Sequence, residues 1–137
     1  DPREANQPSN LATLCPACHR RAEQGVMIRS GLAAAAHALR SLAPLLVMCD
    51  THDLGVHADP ASSLTGGRPA LIMYETVPGG IGLATQLADR MAELLHAALD
   101  LITGCACADG CPACVGPAGE PGHAGKDEAV ALLRLLT

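Results

Sequence analysis

The amino-acid sequence predicts an α/β fold, with a small sheet of two or three strands packed against three helices and a cysteine-rich loop between the last two helices. Three observations lead to this expectation. The 137 residues have the length of a single domain, which at this size buries roughly 68% of its unfolded surface. Short apolar runs of strand length are separated by segments in which apolar residues recur every three or four positions, as on one face of a helix. Four of the 7 cysteines fall between residues 105 and 114, directly after such a segment.

The chain divides by composition into a polar N-terminal part and a more apolar remainder. Residues 1–30 are expected to form a linker and a cysteine knuckle, with a short strand at 25–29. Residues 31–137 are expected to form the domain itself. Because the sequence begins with Asp1 and not with Met, we expect it to be a piece of a longer protein.

The first elements of the domain are predicted to be a helix and a strand. A helix is expected over 31–42, since Ser30 is a typical N-cap residue and Pro44 cannot continue a helix. The apolar run 45–49 has the length of a strand buried on both faces. Residues 50–69 carry Asp, His, Gly, Ser and Pro, which are typical of a loop.

The second half of the chain is predicted to contain one further strand and two helices. Residues 70–75 form the strand, and a glycine-rich turn then leads into one long helix that ends at about Ile102. The cysteine loop occupies 105–118, and a last helix is expected over about 126–136.

Composition excludes several classes of function. The net charge is −5, and Tyr74 is the only aromatic residue. Modules that bind nucleic acid independently are usually basic, and many of them stack bases on aromatic rings. No apolar run reaches the roughly 20 residues of a membrane span, and no secretion signal opens the chain. Clustered cysteines without such a signal favour metal binding in a reducing compartment, and we therefore expect a cytoplasmic protein.

The sequence Cys105-Ala-Cys107-Ala-Asp-Gly-Cys111-Pro-Ala-Cys114 predicts a metal site. Four thiolates are the ligand set of a tetrahedral structural zinc site, which leaves no coordination position for water or substrate. An iron–sulfur cluster also accepts four cysteines, and free or oxidised thiols are the third alternative. A zinc ion with four thiolates carries a formal charge of about −2, which the N-terminus of the following helix can partly offset.

The sequence Cys15-Pro-Ala-Cys18-His19 is half of a second candidate metal site. The missing ligands would come from upstream chain or from Cys49, and reduced thiols without metal are the alternative. The stretch 10–21 also resembles the closing half of an HNH-type nuclease zinc knuckle. The catalytic histidine and further ligand that such a nuclease needs before the knuckle are absent from this sequence.

Two further motifs have weaker functional interpretations. Gly80 and Gly82 follow a strand and open a helix, as in a dinucleotide- or phosphate-binding loop, but Thr85 stands where that motif has Gly or Ala, so a tight turn is the favoured interpretation and no cofactor-binding residue is expected. Asp50, His52 and Asp53 could serve a metal-dependent hydrolase, whereas local turn hydrogen bonds explain the same residues.

The order and spacing of four blocks resemble one family over about 105 residues, from Gly31 to Leu136. The blocks are His37-Ala-Leu, Cys49-Asp50-x-x-Asp53-Leu-Gly, Tyr74-Glu-x-x-Pro-Gly-Gly-Ile-Gly-Leu-Ala and Cys105-x-Cys107-x-x-Gly-Cys111-Pro-x-Cys114-Val. The family is the MrfA zinc-binding domain, the C-terminal domain of superfamily 2 DEAD/DEAH-type DNA helicases related to mitomycin repair factor A.

This resemblance implies a function for the chain. Cys105, Cys107, Cys111 and Cys114 would bind a structural zinc in an accessory, non-catalytic domain of an ATP-dependent DNA repair helicase. Its partners would be the helicase motor domains of the same parent chain, where ATP and Mg²⁺ bind, and single-stranded DNA. The alternatives are a fragment of a metal-dependent nuclease and a protein-binding scaffold of a phage-defence complex.

Overall fold

The computed structural model describes residues 16–117 and 125–137, with side chains from residue 24 onward. The elements follow in the order α1 (Pro16–Val47), β1 (Leu54–Ser62), a short 3₁₀ turn (Ser63–Thr65), β2 (Arg68–Glu75), α2 (Leu83–Asp89), α3 (Met91–Gly104) and α4 (Lys126–Leu136). The predicted combination of helices, a small sheet and a cysteine loop before the last helix is confirmed. Four helices lie within the described residues, because the long helix predicted after the glycine turn is divided in two.

The two strands form one antiparallel hairpin. Leu54 pairs with Glu75 and Gly55 with Tyr74, and the register shifts between Asp59 and Ser62. Alternate residues of β1 therefore face α1, against which the hairpin packs. The hairpin contains no cysteine, so it supports α1 without contributing a sulfur ligand.

The core lies between α1 and the three later helices, and small residues of α1 let the helices approach closely. Ala34, Ala35 and Ala38 are almost completely buried. A Cβ atom on Gly31 would lie 3.0 Å from the Cβ of Glu128 in α4. Larger aliphatic side chains from the other elements fill the space around this stripe: Leu54, Leu87, Leu94, Ile102 and Leu133.

The predictions of a strand at 25–29 and of a helix start at Ser30 are wrong, because α1 is a single helix of 32 residues. It includes the segment 25–29 predicted as a strand, and it passes through Ser30, which is therefore not an N-cap. Pro44 lies in its last turns instead of ending it. A proline removes one backbone donor, and here the helix continues for three more residues before Met48 adopts a left-handed conformation with φ 55°.

The predicted strand at 45–49 is wrong, because residues 45–47 end this helix and a turn at Met48 follows them. Leu45 and Met48 are exposed, whereas Leu46 and Val47 pack against the core. A short apolar run has no periodicity that separates a buried strand from a helix end, which explains the wrong prediction.

The predicted loop 50–69 contains β1. Leu54, Val56 and Ala58 alternate with Gly55, His57 and Asp59, which is the pattern of a strand with one apolar face. The polar residues of the outer face and the proline at residue 60 concealed it. Proline is tolerated in a strand at an edge or a bulge, and this one lies within the register shift.

The helix predicted to end at about Ile102 is divided at Arg90. This residue has φ −111° and ψ 17°, and its backbone N–H bonds to the carbonyls of Leu87 and Ala88. The predicted strand at 70–75 and the last helix at 126–136 are confirmed.

One described helix is long and apolar enough to cross a membrane by length and composition alone. Residues Gln24–Val47 of α1 have a mean hydropathy of 1.3 in their most apolar window, and half of that window is buried inside the fold. A core helix passes the same test of length and composition, so this feature is weak evidence of membrane insertion.

Candidate metal centre

The cysteine loop begins where α3 ends. Gly104 is the last helical residue, and Cys105 follows in extended conformation with φ −71° and ψ 132°. Further along, the backbone N–H groups of Cys114 and Val115 donate to the carbonyl of Cys111 at 3.1 and 3.0 Å. The resulting turn directs Cys111 and Cys114 towards the same point.

The four sulfur atoms of Cys105, Cys107, Cys111 and Cys114 all lie within 4.8 Å of one another. The separations are 3.6 Å between Cys105 and Cys111, 3.5 Å between Cys107 and Cys114, and 3.7 Å between Cys111 and Cys114. A tetrahedron with Zn–S bonds of about 2.3 Å has an S···S edge of about 3.8 Å. The sulfur arrangement therefore has the size of a single-ion tetrahedral site.

The alternatives left open by the sequence fit these distances less well. A disulfide requires an S–S distance of about 2.05 Å, and the thiols of all four residues are free. In an iron–sulfur cluster the four cysteines are divided among two or four iron atoms, so their sulfurs cannot all surround one point as they do here. The donor set and its spacing favour one zinc ion.

The thiols of Cys111 and Cys114 have different pKa values. The N–H groups of Cys114 and Ala113 point at the sulfur of Cys111 and lower the pKa of that thiol to about 7. Burial raises the pKa of the Cys114 thiol to about 12. Zinc binds thiolates, and the charge of the ion favours their deprotonated form.

Lys126, the first residue of α4, was missed as a site residue in the sequence. Its Nζ donates to the carbonyl oxygens of Cys105 and Cys107 at 2.8 and 2.6 Å and lies 3.7 Å from the Sγ of Cys107. The sequence indicated only that the N-terminus of this helix could offset negative charge. No local motif links Lys126 to a cysteine 19 residues earlier.

Comparison with known proteins decides the family. The family described as the MrfA Zn-binding domain matches residues 35–115, which include all four cysteines of the loop.

The chain belongs to the MrfA Zn-binding domain family.

Relatives of this zinc-binding chain include helicases. It is 41% identical over 78 residues to the ATP-dependent helicase YprA of Bacillus subtilis (strain 168), an alignment that covers 57% of the chain and 10% of that protein. It is 29% identical over 81 residues to the uncharacterized protein MJ1572.1 of Methanocaldococcus jannaschii, covering 58% of the chain and 72% of that protein.

A solved structure shares the fold. The crystal structure of the helicase MrfA bound to DNA superposes with a TM-score of 0.74 and 33% identity, covering 82% of this chain and 15% of that chain. The MrfA-like chain described here thus spans about a tenth of YprA and about a seventh of MrfA.

The second candidate metal site lies outside the described residues. Cys15 is not described, and of Cys18 and His19 only the backbone is described, at the start of α1. The proposed second site at Cys15, Cys18 and His19 stays a prediction. Cys49, its suggested partner, is free and half-buried just after α1.

The glycine turn serves a carboxylate of the chain itself. Glu75, the last residue of β2, accepts hydrogen bonds from the N–H groups of Ile81 and Ala84 (2.7 Å for Ala84). These bonds lower the pKa of the Glu75 carboxyl. Because a carboxylate occupies the start of α2, the turn interpretation is favoured over a phosphate or dinucleotide site.

The Asp50, His52 and Asp53 group forms local turn hydrogen bonds at the surface. The N–H of Asp50 donates to Oδ2 of Asp53 at 3.0 Å, and the N–H of His52 donates to Oδ1 of Asp50 at 2.8 Å. Nδ1 of His52 lies 2.7 Å from the same Asp50 oxygen. Across residues 24–117 and 125–137, the only cluster of metal-ligand side chains is the four-cysteine group. The turn interpretation therefore fits better than a hydrolase site.

Proposed function

We propose that this chain is an accessory, non-catalytic zinc-binding domain of an ATP-dependent DNA helicase, and that it helps to hold or guide single-stranded DNA during DNA repair. The observation that carries the proposal is the tetrathiolate cluster in a chain that matches only a small part of helicases. ATP and Mg²⁺ would bind to the helicase lobes of the parent protein. We further propose a cytoplasmic location, since free clustered thiols suit a reducing compartment.

The four loop cysteines, Cys105, Cys107, Cys111 and Cys114, are the proposed zinc ligands, in a domain that spans residues 31–137. Zinc with four thiolates has no open position, so its role is structural. The ion would join the end of α3 to the start of α4 through the loop between them. The family match at 35–115 lies within the proposed domain.

A single-stranded DNA contact is proposed for the outer face of the hairpin. Tyr74 is 47% exposed there, and part of its ring lies directly over its cross-strand neighbour Gly55, where a Cβ would overlap Cζ of the tyrosine. An aromatic ring can stack on a base, a contact worth about 1–3 kcal/mol. The net charge of −5 implies that this contact is local and that basic surfaces of the parent chain supply most phosphate contacts.

The helicase motor domains of the parent chain are the proposed protein partner. An apolar groove of about 420 Å³ lies between the hairpin tip and α4. Leu135 and Leu136, which line it, are exposed in the chain alone. A parent protein of the length of YprA, of which the 78 aligned residues are only 10%, is more than five times longer than this chain and offers surfaces that would cover them.

Single-stranded DNA binding is the test of this function. Fluorescence anisotropy of a labelled oligonucleotide should show that Tyr74→Leu weakens binding by the parent chain about tenfold or more, as loss of a stacked base predicts. Leu64→Ala, at another exposed hairpin position, is the control and should bind as wild type does. Equal affinity of all three proteins would contradict the proposed contact.

The second metal site at Cys15, Cys18 and His19 is proposed to be completed by upstream chain or by Cys49. The measurement is the zinc content of the purified parent chain. Two zinc ions per chain, reduced to one by Cys15→Ser with Cys18→Ser, support it. One ion per chain in both proteins contradicts it.

A further inference from the structure

The ammonium group of Lys126 lies on the edge of the loop that carries the first two cysteines. It bonds to the carbonyls of Cys105 (2.8 Å) and Cys107 (2.6 Å) and lies 3.7 Å from a sulfur atom. Its own backbone N–H donates to the carbonyl of Asp109 at 3.3 Å. The half-buried ammonium group of Lys126 in α4 therefore lies beside both Cys105 and Cys107.

We propose that Lys126 is a positioning residue of the zinc centre, whose positive charge offsets the negative tetrathiolate and lowers the reactivity of its sulfurs. The proposal rests on zinc binding by the four cysteines and not on the DNA contact proposed above. It adds to the metal site a residue that lies outside the cysteine motif and binds no metal itself.

The physical reason lies in the charge of the centre. One zinc ion and four thiolates sum to −2, and Lys126 brings this to −1. Hydrogen bonds and charges around the metal-bound sulfurs tune a metal site and hold its ligands in place. An N–H donor near a thiolate also withdraws electron density from the sulfur, so that it attacks electrophiles more slowly. A lysine that only packed its stem against the loop would produce neither effect.

Three substitutions separate charge from hydrogen bonding and from packing. Lys126→Arg keeps the charge, Lys126→Gln keeps a hydrogen-bond donor without charge, and Lys126→Met keeps the apolar stem alone. Arg134→Gln removes a charge from the exposed last turn of the same helix and is the matched control. The full chain is used throughout, and zinc binding by the wild-type chain is measured first.

Zinc affinity and thiol reactivity are the two measurements. Affinity is obtained by competition with a chromophoric chelator, and reactivity from the rate at which iodoacetamide alkylates the zinc-loaded chain. The Gln and Met variants should lose about 10- to 100-fold in zinc affinity and be alkylated faster. The Arg variant and the Arg134→Gln control should stay within about twofold of wild type.

Each other outcome overturns the proposal. If Lys126→Gln binds zinc and reacts as wild type does, hydrogen bonding alone suffices and the charge has no role. If Lys126→Arg is as weak as Lys126→Met, charge does not rescue the site. A variant that is unfolded without zinc is assayed by the zinc concentration at which it folds, since binding and folding are coupled. If the wild-type chain binds no zinc, both the proposed zinc site and the role of Lys126 are wrong. If the parent chain does not bind DNA, both of these proposals still stand.

Discussion

The carboxylate of Glu75, at the end of β2, accepts a hydrogen bond of 2.7 Å from the backbone N–H of Ala84 in the first turn of α2. It also accepts the N–H of Ile81. A strand end and a helix start nine residues apart are thereby joined through one side chain. The turn between them belongs to the glycine-rich block that carries the family resemblance, and the geometry gives this block a structural role.

The first prediction concerns the charge of Glu75. Its folded-state pKa is lowered below 4.5, chiefly by the N–H groups of Ala84 and Ile81. A lowered pKa means that the group contributes stability above its unfolded pKa and loses that contribution as pH falls through the folded pKa. Glu75→Gln should therefore lower the melting temperature at pH 7, and the difference from wild type should shrink below about pH 4.5 and vanish in stronger acid.

Circular dichroism melts from pH 3 to pH 8 measure this effect. Asp100→Asn, which removes an exposed carboxylate from α3, is the control and should leave the melting temperature almost unchanged. A Glu75→Gln difference that stays constant down to pH 3 would show that the carboxylate charge is not what holds the turn.

The second prediction concerns removal of zinc. Structural zinc sites bind with apparent free energies of about 10–16 kcal/mol that are coupled to folding. A strong chelator should therefore lower the melting temperature by more than 10 °C, because a loss of about 3 kcal/mol already produces a shift of about that size in a domain of this length. Added zinc should restore it.

Cysteine variants provide the control for zinc removal. Cys111→Ser removes a thiol of the cluster and should reduce the zinc content by one ion per chain and abolish most of the effect of chelator on the melting temperature. Cys49→Ser removes a free thiol that lies outside the cluster and should leave the zinc ion of the cluster in place. A melting temperature that does not respond to chelator would contradict a structural zinc.

The metal centre was more predictable from the sequence than the surrounding fold. Four cysteines in ten residues can meet one ion by local turns, so their spacing was sufficient. Lys126 was not predictable in this way, since it reaches the loop through the packing of α4 against α3. No local pattern reports that packing.

The two wrong helix boundaries in α1 have one physical origin. Local signals at Ser30 and Pro44 indicated helix boundaries, but burial of the small residues between them stabilises one continuous helix. Tertiary packing overrides such local preferences. β1 was missed because its apolar residues alternate with turn-forming types, whereas β2 presents an unbroken apolar run at 70–74.

The third prediction concerns Gly116, which follows the cysteine turn with φ 79°. A Cβ at this position would lie 2.8 Å from Cγ of His37 in α1. Gly116→Ala should therefore destabilise the chain by about 1–2 kcal/mol from backbone strain and further from the contact with the imidazole. The measurement is urea unfolding of the zinc-loaded chain.

Gly79 offers a matched comparison for Gly116. It has φ 84°, and a Cβ there would meet nothing within 4 Å. Gly79→Ala should lose only the unfolding free energy that backbone strain costs, and Gly116→Ala should lose more. This additional loss should disappear when Gly116→Ala is made in a His37→Ala chain and compared with His37→Ala alone. Equal losses for the two alanine variants would contradict a close packing of His37 on the loop.

The fourth prediction concerns Arg90, which connects the division between α2 and α3 to the end of α1. Its guanidinium donates to the carbonyl of Leu46 and to the carboxylate of Glu93 at 2.7 and 2.9 Å. The carbonyls of a last helical turn lack partners within the helix, so Arg90→Met should cost about 0.5–1.5 kcal/mol and speed amide hydrogen exchange in the last turns of α1.

Two variants are the controls for Arg90→Met. Glu93→Gln removes only the exposed ion pair, which is worth about 0–1 kcal/mol. Arg134→Met removes a charge without such contacts in the described structure. If Arg90→Met and Glu93→Gln lose the same stability and neither changes exchange in α1, the bond to Leu46 does not hold the helix end.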